Sequence, residues 1–158
     1  MSFSNKKTIR KIAWVLFVIY MAGIIYFLFL SDWLNRDALS FDGNERYNVI
    51  LFKEIKRSIY CLKHGNIRYF LVNFVFNILA FIPFGGFLPV IWPRTRGAVK
   101  FCFRSLSCIL IIEAIQYLTH VGIFDVDDIL LNVTGCMVGY FIFWVLWRRW
   151  RRKHVGRV

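Results

Sequence analysis

The sequence predicts an all-α integral membrane protein: four transmembrane helices, with an extracellular amphipathic helix between the first and second. Three observations carry this reading. The 158 residues are 58% hydrophobic and include 17 Phe and 6 Trp, unlike an ordinary soluble domain. Apolar runs recur at close to the roughly 20 residues that a helix needs to cross about 30 Å of hydrocarbon. Basic residues gather in some connections and acids in the others, as in a chain that weaves through a bilayer. Nothing alternates like barrel strands, and only helices and closed barrels satisfy their backbone inside a membrane.

The first helix is placed at about residues 12–30, because Ile12 to Leu30 contains no charge. Lys6, Lys7, Arg10 and Lys11 precede it without an acid. A basic start also suits a signal peptide, but this run is longer than the about 7–15 residues of a cleavable core. No small-x-small site follows in "FLFLSDWL", so the segment reads as an uncleaved anchor.

The long connection from Ser31 to Arg68 holds the amphipathic segment, at about 46–62. There Phe52, Ile55, Ile59 and Leu62 fall at helical spacing, with Lys53, Lys56, Arg57 and Lys63 between them. Such a helix lies flat on the outer membrane surface or caps the bundle. Its cations suit phospholipid phosphates, or those of a lipid-linked substrate.

The second helix, at about 68–92, is uncharged from Tyr69 to Trp92 and carries Asn73 and Asn77 at i, i+4. Its "FIPFGGF" places Pro83, Gly85 and Gly86 in sequence. Proline removes a helical hydrogen bond, so a break lining a cavity and a bend serving packing both remain open. Arg94, Arg96, Lys100 and Arg104 follow, without an acid.

The third helix, at about 101–119, contains a single buried acid, Glu113, with Gln116 at i+3 and His120 at i+7. An ionised acid at the centre of a membrane helix costs roughly 2.5–3.5 kcal/mol, so Glu113 needs a partner or a polar cavity. His120 reads as a solvated helix end.

The fourth helix, at about 129–147, follows "GIFDVDD". Asp125, Asp128, Asn132, Gly135 and Gly139 step along one stripe, and Asp127 falls off it. Gly135 and Gly139 form a G-x-x-x-G, a close-packing face that would also serve a homodimer. The basic tail, 148–158, contains six Arg or Lys and no acid. Both termini and the middle loop are therefore expected in the cytoplasm, with 31–68 and 120–128 outside. The net charge of +12 is explained by anionic inner-leaflet lipid, and no nucleic-acid partner is inferred.

Three helices place polar residues in the same outer half. This predicts a shared pocket of Asn77, Glu113, Gln116, Asp125, Asp128 and Asn132. A plainer reading makes Asp125 a helix cap with Asp127 and Asp128 in the first turn, where acids suit the helix dipole. Asp127 is then a helix-start or solvent residue, while Asp128 continues inward. Cys61, Cys102, Cys108 and Cys136 show neither paired nor metal-ligand spacing. No disulfide, zinc site or other cofactor is expected, and Mg²⁺ or Ca²⁺ at the acids has no support in the spacing.

"NILAFIPFG" from Asn77, "EAIQ" from Glu113 and "DVDDILLNVTG" from Asp125 resemble the VanZ family of small bacterial membrane proteins. "NVILFKEI" from Asn48 resembles that family's outer-loop motif, and the motifs occur in order over roughly 45–140. The matching positions are Asn48, Phe52, Asn77, Pro83, Gly85, Glu113, Gln116, Asp125, Asp128, Asn132, Gly135 and Gly139. Leu51 stands where many members have proline, and Gly122 where many have arginine, so an Arg–Asp pair is not available here. The resemblance implies a Gram-positive plasma-membrane protein that modulates resistance to lipoglycopeptide antibiotics, teicoplanin more than vancomycin. Binding of the drug, or of a lipid-linked cell-wall precursor, would be the means. A membrane-embedded enzyme using Glu113 and Asp128 as acid and base is the alternative, although no nucleophile–base pair or phosphate loop is visible. A small transporter or a structural partner of cell-wall machinery is a third.

Overall fold

A computed structural model of the protein describes residues 3–30, 47–120 and 123–155. In chain order the elements are α1 (Phe3–Leu30), β1 (Tyr47–Asn48), α2 (Lys53–Lys63), α3 (Ile67–Phe70), α4 (Phe76–Ile91), α5 (Ala98–Leu118), β2 (Phe124–Asp125) and α6 (Val126–Val155). A π-helical stretch, Leu71–Val75, fuses α3 to α4, and a short 3-10 turn, Pro93–Thr95, precedes α5. Gly122, one of the two departures from the family pattern, lies outside the described residues, as does 31–46.

Among the described residues, three helices are long and apolar enough to cross a membrane: Lys7–Tyr26, Ile67–Ile91 and Val126–Lys153. These account for three of the four spans expected. α5 has 21 residues but carries Lys100, Arg104 and Glu113. The helices also outrun their expected bounds. α6 continues through the arginines as far as Val155, so most of the basic segment 148–158 is helical. Its arginines lie over its own aromatic rings, Arg148 over Trp144 at 4.8 Å and Arg151 over Trp147 at 4.9 Å, which favours continuing the helix.

α4 and α6 form the centre and run parallel. Gly135 meets Ile78, Gly139 meets Ile82, and Gly85 meets Cys136, all through backbone atoms. A Cβ at any of the three glycines would overlap a carbonyl oxygen of the facing helix. Small residues matter here because hydrocarbon supplies no hydrophobic drive between helices, so close van der Waals approach must hold them. The Gly135/Gly139 face considered above for a homodimer is thus covered by α4 of the same chain.

The "FIPFGGF" segment resolves the same way: α4 stays helical through Pro83 and Pro89, and Gly85 is buried against α6. Packing, not a break, explains the motif. The irregular turn lies upstream, in the π stretch, where no glycine or proline announces it.

α1 packs antiparallel to α4 along an aromatic seam. Trp14 meets Trp92 at 5.1 Å and Phe17 meets Phe84 at 5.9 Å, with Tyr20 Oη donating to the Ala80 carbonyl at 2.5 Å. Its other face leaves Ile12, Val15, Val18 and Ile19 more than half exposed, a surface suited to lipid. α5 is antiparallel to α6, with Phe101 stacked on Tyr140 at 4.4 Å and Glu113 level with Asn132.

α2 caps the acidic end of this bundle, one of the two placements expected, with most of its apolar stripe left exposed. Ser58 and Cys61 are its buried residues, while Phe52, Ile59 and Leu62 are 45%, 40% and 39% exposed. The reason is local geometry: Tyr47–Asn48 pairs as a strand and Phe52 turns left-handed (φ 66°), so the helix starts only at Lys53. That entry angle fixes which face meets the bundle. Cys61 is buried, and all four cysteines are free.

Candidate functional site

The acidic stretch before α6 divides its labour residue by residue. Asp125 ends β2, which pairs in parallel with β1 in the register Tyr47↔Phe124 and Asn48↔Asp125. Its Oδ1 accepts the Asp127 amide at 2.7 Å, which makes it the cap of α6. Asn48 Nδ2 donates to both its oxygens, at 3.1 and 3.2 Å. The same carboxylate thus caps α6 and holds Asn48 of β1.

Asp127 stands in the first turn of α6, the helix start expected of it. Far from facing solvent, it is completely buried. It accepts the backbone amides of Phe52 at 2.6 Å, Glu54 at 2.8 Å and Ile55 at 3.2 Å. Phe52, at the N-cap position of α2, has no side-chain oxygen to offer. An aspartate 75 positions away in sequence therefore caps α2 and meets its positive dipole end. One signal was available: "ILFKEI" begins a helix with no Ser, Thr, Asp or Asn where a cap belongs, which implies an acceptor from elsewhere.

Asp128 does continue inward, where it accepts from Asn77 Nδ2. Asn77 also donates to the Asn73 carbonyl at 3.0 Å, and Asn73 Nδ2 to the Tyr69 carbonyl at 3.1 Å. Tyr69 Oη donates to Glu54 at 2.6 Å, and Glu54 in turn receives Arg57 at 3.1 Å. A polar ladder thus climbs through the π stretch to α2; such stretches recur at functional sites. Tyr69 and Glu54 are its rungs that the sequence reading did not single out.

One turn deeper on α6, Asn132 Nδ2 donates to Glu113 Oε1 at 3.4 Å. Glu113 is 1% exposed and Asn132 3%. Asn132 Oδ1 is buried without a hydrogen-bond donor, which leaves an acceptor directed into the bundle at a cost of order 1–3 kcal/mol. Gln116 is buried on the same side of α5. Asn77, Glu113, Asp128 and Asn132 therefore converge as two linked pairs on adjacent turns of α6. They are enclosed, however, and do not form the open pocket expected. His120 is exposed, the solvated helix end anticipated, and its backbone turns left-handed there (φ 60°). Among the described residues, no group of three or more His, Cys, Asp or Glu side chains is placed to hold a metal ion.

Burial and the nearby Asp128 carboxylate push Asp125 up from 3.8 to about 7, against the pull of the Asp127 amide and the Asn48 side chain. A raised carboxyl pKa means that the folded state holds its proton longer than the unfolded chain does. Its contribution to stability is complete below about pH 3.8 and is lost as pH rises through about 7. The thermal midpoint of the purified protein is therefore expected to fall between pH 4 and 8, and Asp125→Asn to flatten that slope. Parallel pH profiles for the two proteins would contradict the assignment.

A family model described as VanZ/LLP1 matches residues 15–148, a span that includes every residue of this cluster. A curated relative, Protein VanZ of Enterococcus faecium, is 28% identical over 117 residues, covering 72% of this chain and 70% of the relative. No solved structure matches.

Proposed function

The chain belongs to the VanZ family, and on that premise we propose that it acts in the bacterial cell envelope to modulate tolerance of lipoglycopeptide antibiotics, teicoplanin more than vancomycin. The observation that carries the reading is the buried polar layer at the acidic end, where Asn77, Asp128, Glu113 and Asn132 meet beneath α2. Carboxylates and amides so placed offer acceptors to the amide and ammonium donors of a glycopeptide, or of the lipid-linked precursor it targets. Enclosure in low dielectric strengthens each such bond.

In this reading the protein spans the plasma membrane four times, with both termini cytoplasmic and the polar layer in the outer half. α5 is taken as the fourth span: it lies antiparallel to α6, with Phe101 against Tyr140 and Glu113 against Asn132, and its 21 residues at 1.5 Å per residue give about 31 Å. The orientation follows the basic residues beside α1, in the α4–α5 connection and at the end of α6. Because the layer is enclosed, a ligand must displace α2 or part the helices to reach it, and a drug whose tail enters the bilayer is better placed to do so than vancomycin.

Glu113→Gln and Asp128→Asn are expected to lower the inhibitory concentration of teicoplanin about fivefold, equivalent to about 1 kcal/mol of binding. That of vancomycin should stay within about twofold, with membrane levels of the protein unchanged. Equal losses toward both drugs would sink the tail-based account, and unchanged tolerance of both would sink the site. The same assay bears on orientation, because drug added outside reaches only an outward-facing layer.

A further inference from the structure

At the end of the bundle opposite the acidic layer, α1, α4 and α6 enclose a groove of about 1130 Å³. Its walls are apolar, with Ile82, Val90, Ile142 and Leu146 around Gly86. Arg10, Arg96 and Arg151 line it as well, and no carboxylate does among the described residues. From this pairing of an apolar trough with an all-cationic set of arginines, we infer that the groove binds an anionic glycerophospholipid of the adjacent leaflet. One acyl chain lies along the trough, and the phosphate is held by Arg10, Arg96 and Arg151.

Arg96 is held in place before any ligand arrives. Pro93 has no amide to offer the Pro89 carbonyl, its helical partner, and Arg96 Nε donates to that carbonyl instead, at 3.1 Å. The Arg96 backbone carbonyl receives Tyr140 Oη at 2.6 Å. The Arg96 guanidinium lies over Trp147 at 5.2 Å and Arg151 over the same ring at 4.9 Å. Two like charges sharing one indole is an arrangement that an anion stabilises. Burial and the proximity of Arg151 both lower the Arg96 pKa, the direction expected of a cation that lacks a counter-charge.

Size points to a lipid rather than a small anion. The groove is at or above the about 300–1,000 Å³ typical of small-molecule pockets, and most of its lining is hydrocarbon or aromatic. Arginines at this level also match the anionic headgroups expected where basic residues flank the spans. The inference rests on the membrane reading of the chain and is independent of what the acidic layer binds.

The full-length protein, purified in detergent and offered phosphatidylglycerol or phosphatidylcholine, tests it by native mass spectrometry of retained lipid. Phosphatidylglycerol should be retained on the order of tenfold more. Arg10→Gln with Arg151→Gln removes two charges, neither of which holds the backbone, and should erase that preference. Gly86→Leu should abolish retention of both lipids. A Cβ at Gly86 meets only the Gly139 carbonyl oxygen, at 3.9 Å, so the backbone admits a side chain there, and a thermal midpoint matching that of the unaltered protein shows that Gly86→Leu has folded. Inorganic phosphate in millimolar excess should displace neither lipid. Equal retention of the two lipids, an unaltered preference in the arginine variant, unaltered retention in Gly86→Leu, or displacement by inorganic phosphate would each overturn the proposal.

Discussion

Gly139→Ala is expected to abolish recovery of monodisperse folded protein from membranes. The added Cβ would overlap the Ile82 carbonyl oxygen and lie 2.9 Å from the Gly86 nitrogen and the Ile82 carbonyl carbon. All of these are backbone atoms on a helix, so no side-chain rotation relieves the overlap. α4 and α6 must separate, and the contacts at Gly135 with Ile78 and Gly85 with Cys136 loosen along with them. Overpacking a core costs about 1–3 kcal/mol where side chains can adjust; two rigid helices place the cost at or beyond the upper end. The glycine hydrogen now at that position points toward a carbonyl, a weak attraction that is lost too. Gly86→Ala is the control, since its Cβ finds ordinary space. Size-exclusion profiles and thermal midpoints of the two variants should diverge sharply. Similar behaviour would mean that the helices can slide apart at little cost.

Asp127→Ala is expected to release α2 while leaving the bundle assembled. It removes the acceptor of three backbone amides at once, those of Phe52, Glu54 and Ile55. Losing an N-cap alone costs about 0.5–2 kcal/mol, and a buried donor left without an acceptor costs about 1–3 kcal/mol more. An 11-residue helix has little intrinsic stability to set against that. Amide exchange at 52–55 should quicken by about two orders of magnitude or more, corresponding to roughly 3 kcal/mol, and trypsin should cut at Lys53 and Lys56. Asp125→Asn, which keeps an oxygen facing the Asp127 amide, should leave protection at 52–55 in place. Exchange that is unchanged in Asp127→Ala would show that α2 is held by its packing at Ser58 and Cys61 rather than by its cap.

The parts of the molecule that were legible in the sequence are those governed by short-range periodicity. Uncharged runs marked the apolar helices because desolvating a charge is expensive wherever it falls. Glu113 and Gln116, and likewise Asp128 and Asn132, read as stripes because residues three or four apart share a helix face. The G-x-x-x-G of Gly135 and Gly139 read as a packing face, and the structure uses it as one. The π stretch was not legible, because its five residues, "LVNFV", have no feature that separates them from α-helix. Which face of α2 meets the bundle was not legible either. Spacing identifies an apolar stripe, but the stripe's direction depends on how the chain enters the helix, which the Asn48–Asp125 pairing and the left-handed Phe52 decide.

By itself, then, the sequence determined the helical membrane class, the polar stripes of three helices and the segregation of basic from acidic connections. Only the tertiary structure decided who partners whom. It assigned Asp125 to Asn48, Asp127 to the start of α2, Asp128 to Asn77 and Glu113 to Asn132. It covered the glycine face with α4 and placed three arginines around a groove at the other end. The physical reason is range. Hydropathy and helical spacing act over a few residues and survive in any fold, whereas a carboxylate's partner 75 positions away is chosen only when packed helices bring the two ends of that interval together.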